Sequence, residues 1–112
     1  MTSAIDLLSH WRTLQCVDFE WGEAKDRSNQ KEHELSFGEA QQLFELGDDY
    51  LEIFDAAHSE SEDRFIAIGP IVRGIVVVVY TEREEDRIRI IGARFATKRE
   101  QNLYRTYMDQ DR

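Results

Sequence analysis

Apolar residues follow one rhythm in the first half of the chain and another in the second. Ile5, Leu8, Trp11 and Leu14 recur every third residue, which predicts a helix over residues 4–15 with Ser3 as its cap. Val17 to Trp21 alternates apolar and acidic residues, the pattern of a short, half-exposed strand. Glu23 to about Glu34 is highly charged with few apolar positions and reads as a solvated helix. Ser36-Phe37-Gly38-Glu39 is a capping-box pattern. Phe37, Ala40, Leu43, Phe44 and Leu46 then form the stripe of a second helix, with Gly47 placed to end it.

Tyr50 to Phe54 predicts a short strand, and Asp55 to Glu62 a polar loop. From Asp63 the spacing becomes that of strands. Phe65, Ala67 and Gly69 alternate with Ile66 and Ile68, and Gly69-Pro70 with Arg73-Gly74 brackets a turn. Ile75 to Tyr80 is apolar on both faces and predicts a central strand. A charged turn follows over Thr81 to Glu85. Arg87 to Ile91 places arginine on one face and isoleucine on the other. Thr97-Lys98-Arg99-Glu100 repeats the capping box and opens a last helix to about Tyr107. Three strands joined by short turns make an antiparallel meander with helices before and after it, an α+β class with an extra N-terminal helix. The expected organisation is a helical extension over 1–16, a single domain over 17–107 and a tail over 108–112.

Composition sharpens this picture. The 112 residues are 41% hydrophobic and 33% charged, enough for one core and too few for a second. The longest apolar run, Ile75 to Tyr80, is far short of the roughly 20 residues that span a bilayer. The N-terminus lacks the basic and long apolar regions of a signal peptide, so a cytoplasmic location is the expectation. The lone Cys16 reads as a small core residue. The net charge of −9 is uneven. Residues 17–62 hold 14 acids and 3 bases, whereas residues 87–105 hold six bases and one acid, Glu100. Such a chain is a poor non-specific binder of nucleic acid, yet its C-terminal basic segment can hold a phosphate. The acidic half can equally face a basic partner protein.

Four blocks of residues resemble the BrnT family of ribonuclease toxins. Phe19-Glu20-Trp21, Lys25, Asn29, His33, Phe37 and Ala40 look like its opening. Asp55 through Gly69, including His58-Ser59-Glu60, Glu62 and Arg64-Phe65, resembles its middle. Val78-Val79-Tyr80-Thr81-Glu82-Arg83, and then Ile88 through Thr97 with Glu100 and Tyr104, resemble its close. The resemblance covers about residues 18–105. It implies a RelE-like fold, growth-arresting RNA cleavage, and neutralisation by an antitoxin of the BrnA, ribbon-helix-helix type, with no direct DNA binding unless that antitoxin is present. The sequence departs from the family at Glu32, where a basic residue is usual, at Glu34, where glycine is usual, and at Gly92, where serine is usual. Residues 1–16 precede the family's usual start.

RNA cleavage without a metal requires a proton taken from the 2′-hydroxyl, a proton given to the leaving 5′-oxygen, and stabilisation of the phosphate charge. His33 is the candidate for acid–base work because an unperturbed imidazole titrates near pH 6.5. It follows Asn29 by four residues and Lys25 by eight, so the three lie near one helix face. Arg94 is the first phosphate candidate, because a strand end beside a helix N-terminus suits an anion and a guanidinium fork matches two oxygens. Arg83 is expected to join Arg94 on the scissile phosphate, and Lys25 to join His33. Arg87, Arg89, Lys98, Arg99 and Tyr104 are candidate RNA contacts. For each a plain structural role competes: an ion pair of Arg94 with Glu62 or Glu82, a solvated face for Arg87 and Arg89, packing on the sheet for Tyr104. His10 reads as a surface residue. His58, Glu60 and Glu62 do not have a ligand spacing, and neither a metal nor another cofactor is expected. The chain lacks a G-x-S-x-G elbow and a glycine-rich phosphate loop. The alternative to an endoribonuclease is a catalytically degenerate relative that only binds a protein.

Overall fold

The computed structural model describes residues 17–45, 49–56, 62–83 and 86–110. The expected helix over 4–15, Cys16, Leu46 and Gly47, and the His58–Glu60 part of the loop lie outside these residues. Within them run strand β1 (Asp18–Glu20), helices α1 (Glu23–His33), α2 (Phe37–Ala40) and α3 (Gln42–Glu45), strands β2 (Leu51–Phe54), β3 (Arg64–Ile71), β4 (Gly74–Arg83) and β5 (Arg87–Phe95), and helix α4 (Lys98–Gln110).

The strands form a single sheet in the order β1-β5-β4-β3-β2. The meander β3-β4-β5 is antiparallel as expected, and β2 extends it. β1 departs from the pattern, because it pairs parallel to β5, with Asp18 opposite Arg87 and Glu20 opposite Arg89. A parallel pair needs a long crossover, and here most of the chain serves as one. The turn after β3 also lies later than expected. Pro70 stays in the strand opposite Ile75, and the chain reverses at Val72-Arg73. β2 ends its pairing at Ile68, so the missing N–H of Pro70 faces an unpaired edge.

One face of the sheet carries the core: Ala67, Val76, Val78, Tyr80, Ile88, Ile90 and Ala93, under Leu35, Phe37, Ala40, Leu43 and Phe44. Phe44 sits at its centre, within 5.6 Å of the Phe19 ring, 5.5 Å of Tyr50 and 5.0 Å of Tyr80. The expected second helix is two short ones. Ser36 caps the first by accepting from the Glu39 N–H at 3.0 Å, and the tight Phe44-to-Gln41 bond of 3.1 Å marks the break. The apolar stripe survives it. α4 runs to Gln110, past the expected end at about Tyr107.

A bulge decides which way the arginines of β5 point. Val79 opposes Gly92 and Tyr80 opposes Ile90, so Ile91 is extra. Strict alternation would place Ala93 on the face opposite Ile90. The inserted residue restores Ala93 to the core side and turns Gly92 and Arg94 to the other face, where Arg87 and Arg89 already lie. α4 packs against β3 and β2 on that second face, where Val77 and Thr81 of β4 are also buried.

α1 ends on Glu34, whose φ of 56° and ψ of 36° are left-handed. Glutamate pays a steric cost there that glycine does not. Glu34→Gly, the residue usual at this place in the resembled family, should stabilise the fold by about 1 kcal/mol and raise Tm by about 4 °C. Thermal unfolding of the two proteins checks it, and an unchanged or lower Tm would remove this explanation.

Candidate functional site

α1 takes over the edge of β5 where β1 stops. Past Arg89 the outer edge of β5 has no strand beside it among the described residues, and Asn29 fills that role. Its side-chain amide donates to the Ala93 carbonyl at 2.8 Å and its oxygen accepts the Ala93 N–H at 3.2 Å, so it copies a strand's pairing. The same amide donates to the Leu35 carbonyl at 2.8 Å. Arg73, in the β3–β4 turn, fixes the end of the helix. It donates to the Glu34 carbonyl at 2.7 Å, grips Glu39 at 2.7 and 2.8 Å, and lies over the Phe95 ring. The Arg73 guanidinium holds the Glu39 carboxyl below the usual carboxylate range.

These ties set His33, the last residue of α1, beside the second sheet face. There a depression of about 250 Å³ is floored by Ile66, Val77, Val79 and Gly92 and rimmed by His33, Arg94 and Glu100. His33 and Arg94 therefore come together as expected. The His33 side chain is 39% exposed, with Nε2 4.0 Å from the Glu32 carboxylate. Arg94 does pair with a carboxylate, though with Glu100 rather than Glu62 or Glu82. Two parallel bonds of 2.8 Å join the guanidinium to Glu100, and a longer one reaches the Phe95 carbonyl. Glu100 also completes the capping box, accepting from the Thr97 N–H at 2.9 Å while its own N–H reaches Thr97 Oγ1 at 3.2 Å. The bond from Arg94, outweighing the cost of burial, lowers the Glu100 carboxyl to about 2. The carboxylate in turn raises the Arg94 guanidinium further above its ordinary value.

The other expected residues lie apart from this depression. Lys25 is exposed in the first turn of α1, two helical turns or about 12 Å from His33. Arg83 is six residues along β4 from Val77, the residue opposite Arg94, so roughly 20 Å separates the two backbone positions. A shared scissile phosphate for Arg83 and Arg94 does not fit that spacing. Arg83 pairs with Glu62 at 3.4 Å. Arg87 and Arg89 share Glu20, at 3.6 and 3.0 Å. Lys98 and Arg99 are exposed at the start of α4. Tyr104 is half-buried and donates to the Asp49 carbonyl at 3.0 Å, which ties α4 to the approach to β2. Among the described residues no group of three or more His, Cys, Asp or Glu is placed to hold a metal ion. None of the described helices is long and apolar enough to cross a membrane.

From the sequence, Asn29 stands out only as a neighbour of His33, and Arg73 does not stand out at all. Its place between Lys25 and His33 in the family-like opening block is the available signal for the first. Nothing local marks the second.

Residues 21–100 match the family model described as the ribonuclease toxin, BrnT, of type II toxin-antitoxin system. That is more than half of the chain. The chain belongs to the BrnT family. Membership carries with it an antitoxin partner, since the family is the toxin half of a two-protein system. A crystal structure at 1.1 Å of the Brucella abortus ribonuclease toxin BrnT shares the α+β fold, with a TM-score of 0.57 and 19% sequence identity, covering 73% of this chain and 99% of that one. A comparison with curated proteins finds no match.

Proposed function

We propose that this BrnT-family chain is a metal-independent endoribonuclease of the cytoplasm, whose cleavage of RNA inhibits translation and growth until an antitoxin of the BrnA type masks it. The observation that carries the reading is the convergence of His33 and Arg94 on one depression of the second sheet face. In the reaction the 2′-oxygen attacks the adjacent phosphorus and the bond to the 5′-oxygen breaks, leaving a cyclic phosphate that can open to a 3′-phosphate. His33 carries the proton from the 2′-hydroxyl to the departing 5′-oxygen, and Arg94 binds the phosphate oxygens as negative charge grows on them. Glu100 occupies only part of the five-donor fork of Arg94 and fixes its plane, so the remaining N–H groups face a ligand already oriented. Arg83, Arg87 and Arg89 contact RNA away from the cut.

Arg94→Ala should lower RNA cleavage at least tenfold. It should cost only about 1 kcal/mol in stability, because its ion pair is part-exposed. Inducible expression of wild type and variant in a bacterial host, with growth and total RNA followed together, measures this. A folded variant that degrades RNA like the wild type removes Arg94 from the site.

A second reading has its own support: Arg83, Arg87, Arg89 and Arg94 all sit against carboxylates of this chain. A chain that has neutralised its own basic face suits a protein-binding module without catalysis. Harmless expression of the wild type, with intact RNA and stable co-purification with the antitoxin, would favour it.

A further inference from the structure

Glu20 occupies an unusual position on the second face of the sheet. It sits on the edge strand in register with Arg89, and its two oxygens divide between two arginines, Oε1 toward Arg87 Nε at 3.6 Å and Oε2 toward Arg89 Nη1 at 3.0 Å. A carboxylate held by two guanidinium groups stands where a phosphate would be held. Lys25 belongs to the same neighbourhood. Gly22 lies between it and Arg89, close enough that a Cβ there would be 3.9 Å from the Lys25 Cβ and 3.7 Å from Arg89 Nη2. Asp18, in register with Arg87, adds a second acidic residue to the same strand. Arg89 and Glu20 keep 36% and 32% of their side-chain surface exposed, so an incoming anion can reach both.

The arrangement has a fixed relation to the depression at Arg94. On β4 the partner of Arg89 is Thr81 and the partner of Arg94 is Val77. Four residues of strand separate them, about 13 Å. Between them lie Val79 and Gly92, paired with each other. A single-stranded polynucleotide running along β5 would meet cations at both ends of this stretch.

We propose that Arg87, Arg89 and Lys25 form a second phosphate subsite, about 13 Å from Arg94, in which Glu20 is a resident counter-ion that an RNA phosphate displaces. This rests on the RNA-cleavage reading. It gives Lys25 a role in holding the strand rather than in proton transfer. It also makes Glu20 a brake: RNA binds only by winning two arginines from a carboxylate that is always present.

The test is fluorescence anisotropy with a single-stranded RNA oligonucleotide carrying 2′-O-methyl groups, which binds without being cut, at about 50 and 200 mM salt. Glu20→Gln keeps the side chain's shape and removes its charge. It should tighten binding about fivefold at the lower salt. Arg87→Gln should weaken binding about threefold and make the salt dependence shallower by roughly 0.7 in the log–log slope, the share of one phosphate on a single strand. If Glu20→Gln fails to fold, Arg87→Gln decides alone, and unchanged affinity and slope overturn the subsite. Wild-type binding that Arg94→Ala weakens but Glu20→Gln and Arg87→Gln leave unchanged overturns the subsite and keeps the RNA reading. Absence of binding by every variant overturns both.

Discussion

Asn29→Ala should be among the most damaging single changes in this fold, at about 3 kcal/mol, and should lower Tm by about 12 °C. Asn29 is 8% exposed and makes three bonds to backbone groups. Alanine removes all three at once. The Ala93 N–H and carbonyl and the Leu35 carbonyl then lose their partner in a place with little water, at roughly 1 kcal/mol or more each. The damage is also directed. Asn29 is the pin that holds α1 against β5, and His33 lies one turn beyond it. Loosening the pin moves the His33 rim of the depression away from Arg94. The variant should therefore lose cleavage even at temperatures where it remains folded, in the way that small displacements of a positioned group cost rate. Chemical denaturation with cleavage measured at low temperature separates the two effects. A loss of less than 1 kcal/mol would show that water replaces the amide without penalty.

Asn29 acts across the fold, whereas the features readable in the sequence are local. The run Ile75 to Tyr80 and the isoleucines of Arg87-Ile-Arg-Ile-Ile announce strands because each residue's own neighbours enforce the alternation. Thr97 and Glu100 announce a helix start for the same local reason, and both make the expected bonds. The parallel pairing of β1 with β5 was not readable, because the partner of Asp18 is Arg87, far along the chain. The bulge at Ile91 was hidden too. Nothing in Ile90-Ile91-Gly92 tells which isoleucine is extra, yet that one residue decides whether Arg94 points at the core or away from it. The site was legible as a set of residue types and illegible as an arrangement. Arg94 was a candidate for phosphate binding by its place between strand and helix, whereas its carboxylate partner proved to be the very glutamate that caps that helix. Arg83 was expected to join Arg94 on one phosphate and is separated from it by six residues of β4, roughly 20 Å.

Gly69→Ala should destabilise the fold by about 3 kcal/mol, and the reason is a contact that no periodicity reveals. Gly69 lies on the core side of β3, beyond the last residue paired with β2, where Tyr50 leads into that strand. A Cβ on Gly69 would fall 2.7 Å from the Tyr50 Cβ and 3.3 Å from its Cα, with Leu43 Cδ1 at 3.5 Å. Two of these three atoms belong to or adjoin the backbone, so no rotamer change relieves the overlap, and the chain at Tyr50 has to shift. Tyr50 packs edge-on against Phe44, the centre of the aromatic cluster, so the shift is felt in the core. Gly92→Ala is the matching control. A Cβ on Gly92 would meet nothing within 4 Å, and a strand residue gains by replacing glycine. It should fold with unchanged or slightly higher stability, by up to about 0.5 kcal/mol. Urea unfolding of both variants beside the wild type tests the pair. Equal midpoints for Gly69→Ala and Gly92→Ala would mean that β2 yields to the methyl group freely. The expected large gap would instead make the approach of Tyr50 to β3 the reason that position takes glycine, and the open space at Gly92 the reason that the floor of the depression can accept a side chain.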